Sequence, residues 1–127
     1  MKIAHLALWV TDIEKSKEFY EKYFAARSGD RYENKTKGFT SYFLSFPESE
    51  VRLEIMNKVS ITEKNTQEKL GWAHLAMSVG SEETVNSLTE KLRADQVEIV
   101  GEPRWTGDGY YESVVKDTEG NLVEITI

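Results

Sequence analysis

The 127-residue chain contains no cysteine, which excludes a disulfide framework and any thiolate metal site. Positive charge is scarce beside negative: 16 Lys and Arg stand against 22 Asp and Glu, for a net charge of −6. A nucleic-acid binder needs a basic face, so this balance argues against one, and it disfavours an anionic membrane surface for the same reason. No apolar run approaches the roughly 18–20 residues of a membrane-spanning helix. The chain starts Met-Lys-Ile-Ala-His and passes at once into a strand pattern, with no signal-peptide character. The expectation is a cytoplasmic protein with neither a nucleic-acid nor a membrane partner. Histidine is scarce too: there are two, His5 and His74.

Both histidines sit in the same four letters. Ala-His-Leu-Ala occurs at 4–7 and again at 73–76, 69 residues further on. Two glutamates lie inside short apolar strands, Glu54 in Val-Arg-Leu-Glu-Ile and Glu124 in Leu-Val-Glu-Ile, 70 residues apart. The chain therefore reads as one unit written twice, with a His early and a Glu about fifty residues later in each. A half of about sixty residues is marginal by itself, and two halves sharing a sheet interface relieve that. The expected organisation is a single domain over 1–127, with module 1 at 1–57, a polar linker at 58–70 and module 2 at 71–127.

Residues 3–10 alternate as a strand, with Ile3, His5, Ala7 and Trp9 on one face and Ala4, Leu6, Leu8 and Val10 on the other. Thr11 and Glu14 then have the spacing of a capping box, which predicts a helix to about Phe24. Ile13, Ser16, Tyr20, Tyr23 and Phe24 form its apolar stripe. Strands are expected near 27–32, 40–46 and 50–56. The second copy repeats the order: a strand at 72–79, and a helix opened by Ser81 carrying Val85, Leu88 and Leu92. Strands follow near 97–100, 109–115 and 121–127, with a turn at 117–121 before the last. The fold class is α+β, two tandem βαβββ modules whose mixed sheets curve into a cleft.

Strand parity places the chemistry. Arg52, Glu54 and Met56 oppose Val51, Leu53 and Ile55; Leu122, Glu124 and Thr126 oppose Val123, Ile125 and Ile127. Each His and each Glu thus lies on the less apolar face of its strand, and the apolar faces belong under the helices. A half-buried carboxylate needs a partner. One divalent cation serves both glutamates, because two carboxylates and one such ion sum to zero charge. Imidazole and carboxylate donors suit nickel, zinc, cobalt, manganese or iron.

The paired βαβββ modules, the AHLA-type first strands, the ending Asp117…Gly120-Asn121-Leu-Val-Glu124 and the length together resemble the vicinal oxygen chelate superfamily, the glyoxalase/bleomycin-resistance/dioxygenase group. The His/Glu/His/Glu set is similar to that of bacterial glyoxalase I, lactoylglutathione lyase. The resemblance implies metal ligands at His5, Glu54, His74 and Glu124, an octahedral divalent ion and a homodimer. It implies a lyase or isomerase acting on a small oxygen-rich substrate, such as a thiol adduct, through an enediolate, with Glu54 or Glu124 as the base. Two positions depart from the glyoxalase I pattern. Trp9 stands where an arginine contacts glutathione, and Asn57 follows Glu54 by three residues rather than four. Both weaken glutathione as co-substrate. The alternatives within the superfamily are a dioxygenase or thiol transferase with different chemistry at the metal, and a non-catalytic module that binds a drug or metabolite.

Overall fold

The computed structural model describes residues 1–64 and 70–127; residues 65–69 of the expected linker, with any helical turn there, lie outside the described residues. The chain divides into two compact units, Met1–Lys64 and Asn65–Ile127.

Unit 1 comprises β1 (His5–Trp9), α1 (Ile13–Phe24), β2 (Arg27–Ser28), β3 (Tyr32–Asn34), β4 (Phe39–Ser45) and β5 (Arg52–Lys58). Its sheet runs β1-β5-β4-β2, with β3 also pairing with β4. The β1–β5 pair is parallel and the others are antiparallel, so the sheet is mixed. Unit 2 comprises β6 (His74–Ser78), α2 (Glu82–Ala94), β7 (Ile99–Trp105), β8 (Tyr111–Lys116) and β9 (Leu122–Thr126), in the sheet order β6-β9-β8-β7. Here β6 and β9 are the parallel pair. In each unit the first and last strands become neighbours, which brings residues about fifty apart onto adjacent strands.

Three sequence expectations need correction. The N-cap of α1 is Asp12, whose side chain accepts from the Lys15 N–H; it is not Thr11. With Asp12 in that place, Glu14 falls in the first turn and is taken up by Lys17 and Tyr42 instead. The strand expected over 27–32 is split into β2 and β3, because Gly29 and Asp30 interrupt it while both pieces still pair with β4. The strand expected at 97–100 runs on through Pro103 to Trp105. A proline is tolerated there because β7 is an edge strand with two register irregularities.

Each unit has its own core. Under α1, the helix side chains Ile13, Phe19, Tyr20 and Phe24 meet Leu44, Leu53 and Ile55 of the sheet. Phe19 completes the stripe that the periodicity had assigned partly to Tyr23. Under α2 the buried residues are Val85, Thr89 and Leu92 with Val115, Val123 and Ile125. Thr89 occupies a place the apolar pattern does not announce. Its hydroxyl meets Val85 O at 2.6 Å and Ser113 Oγ at 2.7 Å, and both side chains are fully buried. Thr89→Val keeps the shape but leaves the Ser113 hydroxyl without this partner. The expected loss is about 1–3 kcal/mol in urea unfolding, partly recovered when Ser113→Ala is added.

The helix of unit 1 is held to its sheet by a polar contact as well. Tyr42 Oη donates to Glu14 Oε1 at 2.9 Å, and Lys17 Nζ lies 3.1 Å from Glu14 Oε2 and over the Tyr42 ring. Hydrogen bonding from Lys17, then from Tyr42, lowers the Glu14 pKa. Burial, then the bond to Glu14, raises that of Tyr42. The bond to Glu14 likewise raises the Lys17 pKa. A lowered carboxylate contributes stability above its unfolded pKa and loses it as pH falls through the folded value. The raised Tyr42 and Lys17 contribute below their unfolded pKa values and lose that contribution as pH rises through the folded ones. Stability should therefore fall at both acid and alkaline extremes. In Tyr42→Phe the alkaline fall should be shallower and the acid fall reduced, as read from chemical unfolding across pH.

Among the described residues, no helix is long and apolar enough to cross a membrane.

Candidate functional site

The site residues are positioned by the parallel strand pair of each unit. In unit 1 His5 pairs in register with Arg52, and Ala7 with Glu54. In unit 2 His74 pairs with Leu122, and Ala76 with Glu124. Each His and Glu are therefore diagonal neighbours on one sheet face, two positions out of register. The face is the one away from the helix, since Leu53, Ile55, Val123 and Ile125 on alternate positions are buried. Backbone bonds at equivalent places close each pair of strands, Val10 N–H to Met56 O and Val79 N–H to Thr126 O, both at 2.7 Å.

The two half-sites match closely. His5 Nε2 lies 3.9 Å from Glu54 Oε2, and His74 Nε2 lies 3.3 Å from Glu124 Oε2. Both imidazoles have 42% of their side-chain surface exposed, while Glu54 has 16% and Glu124 20%. Two donors each bound at about 2.0–2.2 Å to one ion lie roughly 3–4 Å apart, so the donor pair of each unit fits two adjacent positions of a divalent metal's coordination shell. Sequence reasoning had joined all four residues in one cluster. Within its own unit each His meets its Glu, and among the described residues no group of three or more His, Asp or Glu is gathered as a metal site.

Around the first pair the flanking residues differ from those around the second. Phe43 on β4 is the register partner of Glu54, and the corresponding partner of Glu124 on β8 is Val114. The Phe43 ring meets His5 edge-on at 5.3 Å and lies under the Arg52 guanidinium at 4.3 Å. Further along the same face Trp9 meets Phe39 edge-on at 6.1 Å, and Phe39 meets Tyr32. In unit 2 the face carries Glu112, largely buried, with Arg104 Nη2 at 3.5 Å from its carboxylate. Phe43 and Glu112 were not singled out from the sequence. The alternation of β4 and β8 about their buried Leu44 and Val115 was the signal that could have found them.

Several other side chains take structural roles. Trp105 is the register partner of Tyr111, with the rings 5.5 Å apart, and Tyr111 Oη donates to Asn86 of α2. This pair is on the helix side of the sheet and does not close over the His–Glu face. Asn57 Nδ2 donates to the carbonyls of Val10 and Thr11, 2.9 Å each, tying the end of β5 to the turn before α1. The turn that aims β9 is built by Asp117. Its Oδ1 accepts from the Glu119 and Asn121 N–H groups, and its Oδ2 accepts from Asn121 Nδ2. Gly120 takes a positive φ of 89° there.

Over residues 2–125 the chain matches the sequence profile of the Glyoxalase/Bleomycin resistance protein/Dioxygenase superfamily. The chain belongs to this superfamily. Its fold agrees: two helices and two mixed sheets arranged as glyoxalase-like modules. The solved structure of a glyoxylase/bleomycin resistance protein/dioxygenase domain from Frankia is similar with a TM-score of 0.85 at 15% identity, over 100% of this chain and 97% of that one. Glyoxalase I from Zea mays is similar with a TM-score of 0.81 at 19% identity, over 98% of this chain but 44% of that one. The chain thus spans less than half the length of the maize enzyme. The trypanothione-dependent glyoxalase I of Leishmania major has a TM-score of 0.79 at 21% identity, over 99% of this chain and 86% of that one. Comparison with curated protein sequences found no match.

Proposed function

We propose that the protein is a metal-dependent enzyme of the glyoxalase I type, a lyase or isomerase acting on a small oxygen-rich substrate, in which His5, Glu54, His74 and Glu124 hold one divalent ion. The observation that carries this reading is the repeated His–Glu pair, with its nitrogen and oxygen 3.9 and 3.3 Å apart on equivalent strands. When bound, the ion supplies a positive centre that polarises two neighbouring substrate oxygens. The chain's own part is proton movement and positioning. The Glu54 or Glu124 carboxylate takes a proton from one substrate carbon and returns it to the next, a role worth roughly 10²–10⁴ in rate. Phe43 and Trp9 bring apolar surface to the same face, limiting the water that would compete for that proton. The reading also includes a homodimer in the cytoplasm.

Glutathione is not the favoured co-substrate. It carries two carboxylates and calls for more than one positioned cation or amide, where this face offers, among the described residues, one open guanidinium, that of Arg52. Trp9 is packed on Phe39, and Asn57 is committed to two backbone carbonyls. The hemithioacetal of methylglyoxal and glutathione should be turned over weakly or not at all by protein loaded with nickel or zinc. A screen of small hydroxycarbonyl compounds under the same conditions should find a better substrate, with turnover abolished in Glu124→Gln or Glu54→Gln. Robust turnover of the glutathione adduct would overturn the exclusion of glutathione. Failure of the protein to bind any divalent ion would overturn the enzyme reading and leave a binding module.

A further inference from the structure

The two half-sites are alike in ligand type but not in charge beside them. Arg52 is the register partner of His5, and the equivalent partner of His74 is Leu122. Arg104, the arginine on the corresponding face of unit 2, is engaged by Glu112. Arg52 is not so engaged: among the described residues no carboxylate pairs with its guanidinium, which rests on the Phe43 ring at 4.3 Å. The carboxylates two residues to either side of Arg52 are occupied elsewhere. Glu50 pairs with Lys2 at 3.1 Å, and Glu54 faces His5. A guanidinium stacked on one aromatic face keeps its N–H edge open, which is the geometry for bidentate recognition of a carboxylate or similar oxyanion.

Resting on the metal reading above, we propose that Arg52 determines specificity by binding an anionic group of the substrate, separate from the vicinal oxygens that face the ion. The spacing defines the class. Arg52 is two residues before Glu54 on the same face, so the anion's position is about 6–7 Å from that of the ligating carboxylate along the strand. An oxygen bound by the metal does not reach there. A second anionic group three or four bonds further along the substrate does. The substrate class is therefore a 2-hydroxyaldehyde or 2-hydroxyketone, whose proton can move between its two oxygen-bearing carbons, with a distal carboxylate; 2-oxo acids present the same pair of vicinal oxygens and serve as non-reacting binding probes.

Two probes isolate that distal group. 2-Oxoglutarate and 2-oxopentanoate share the chelating head and chain length, and only the first has the terminal carboxylate. Calorimetry on cobalt-loaded protein should show 2-oxoglutarate binding at least tenfold more tightly. Arg52→Gln should abolish the preference while leaving cobalt affinity unchanged, and Arg52→Lys should retain part of it. A preference that persists in Arg52→Gln, or no preference in the parent protein, overturns the proposal. A second measurement does not depend on the ion. In metal-free protein, the Arg52 Nε–H resonance, assigned by its absence in Arg52→Gln, should shift on adding glutarate and not on adding glutaramide. If cobalt does not bind but glutarate shifts this signal, the metal reading fails and the anion site stands. If the signal does not respond, the anion site fails.

Discussion

A saturating divalent ion should raise the thermal midpoint of this protein by about 10 °C, and removal of any one of four side chains should erase most of that gain. An ion that binds only the folded state at 100 times its Kd stabilises by about 2.7 kcal/mol. For a chain of this size each kcal/mol moves the midpoint by roughly 3–5 °C. On the proposed reading Glu54 and Glu124 together would neutralise the ion, and loss of either charge as Glu→Gln should weaken binding about 100-fold. At the same ion concentration the stabilisation then drops to about 0.4 kcal/mol. His5→Ala and His74→Ala should act alike, because each pairs with its glutamate in the same way. The check is differential scanning calorimetry with nickel, zinc and chelator on the parent and the four single variants. If variants in one unit abolish the shift and those in the other leave it intact, one half-site binds without the other and the four-ligand centre is wrong.

Ile125→Ala should cost about 2–5 kcal/mol, a large share of the roughly 5–15 kcal/mol that hold a domain of this kind together. Ile125 is completely buried beneath α2, beside Val115 and Val123. Truncation removes apolar contact and leaves a cavity that close-packed neighbours fill only in part. Its chain neighbour gives the contrast. Glu124 points to the opposite face of β9, so Glu124→Gln should change metal-free stability by no more than about 0.5 kcal/mol. Urea unfolding of the metal-free protein measures both. Ile55→Ala, equally buried in unit 1, should behave like Ile125→Ala. A strong loss in Glu124→Gln would mean that the carboxylate is a structural partner of His74 before it is anything else.

This separation of stability from chemistry along single strands was legible in the residues themselves. Period-two alternation assigned Leu53 and Ile55 to the core and Glu54 to the other face, and did the same for Val123, Ile125 and Glu124. The duplicated Ala-His-Leu-Ala and the near-constant His-to-Glu spacing carried the modular order and the family resemblance. Local signals failed where two residues compete for one role. Thr11 and Asp12 can both cap a helix, and only the turn that forms decides between them. Thr89 and Ser113 look polar and surface-bound until α2 is laid on β8, where each hydroxyl serves the other.

Sequence by itself determined that two similar βα-led units each hold one His and one Glu on the face away from a helix. Periodicity and repetition are properties of the chain order, and they need no knowledge of neighbours. Tertiary structure alone decided what stands across the strands from those pairs. The parallel joining of β1 to β5 sets Arg52 across from His5, and the antiparallel joining of β5 to β4 sets Phe43 across from Glu54. Strand register is a relation between distant segments, so the stacked guanidinium and its open edge exist only once the sheet has formed.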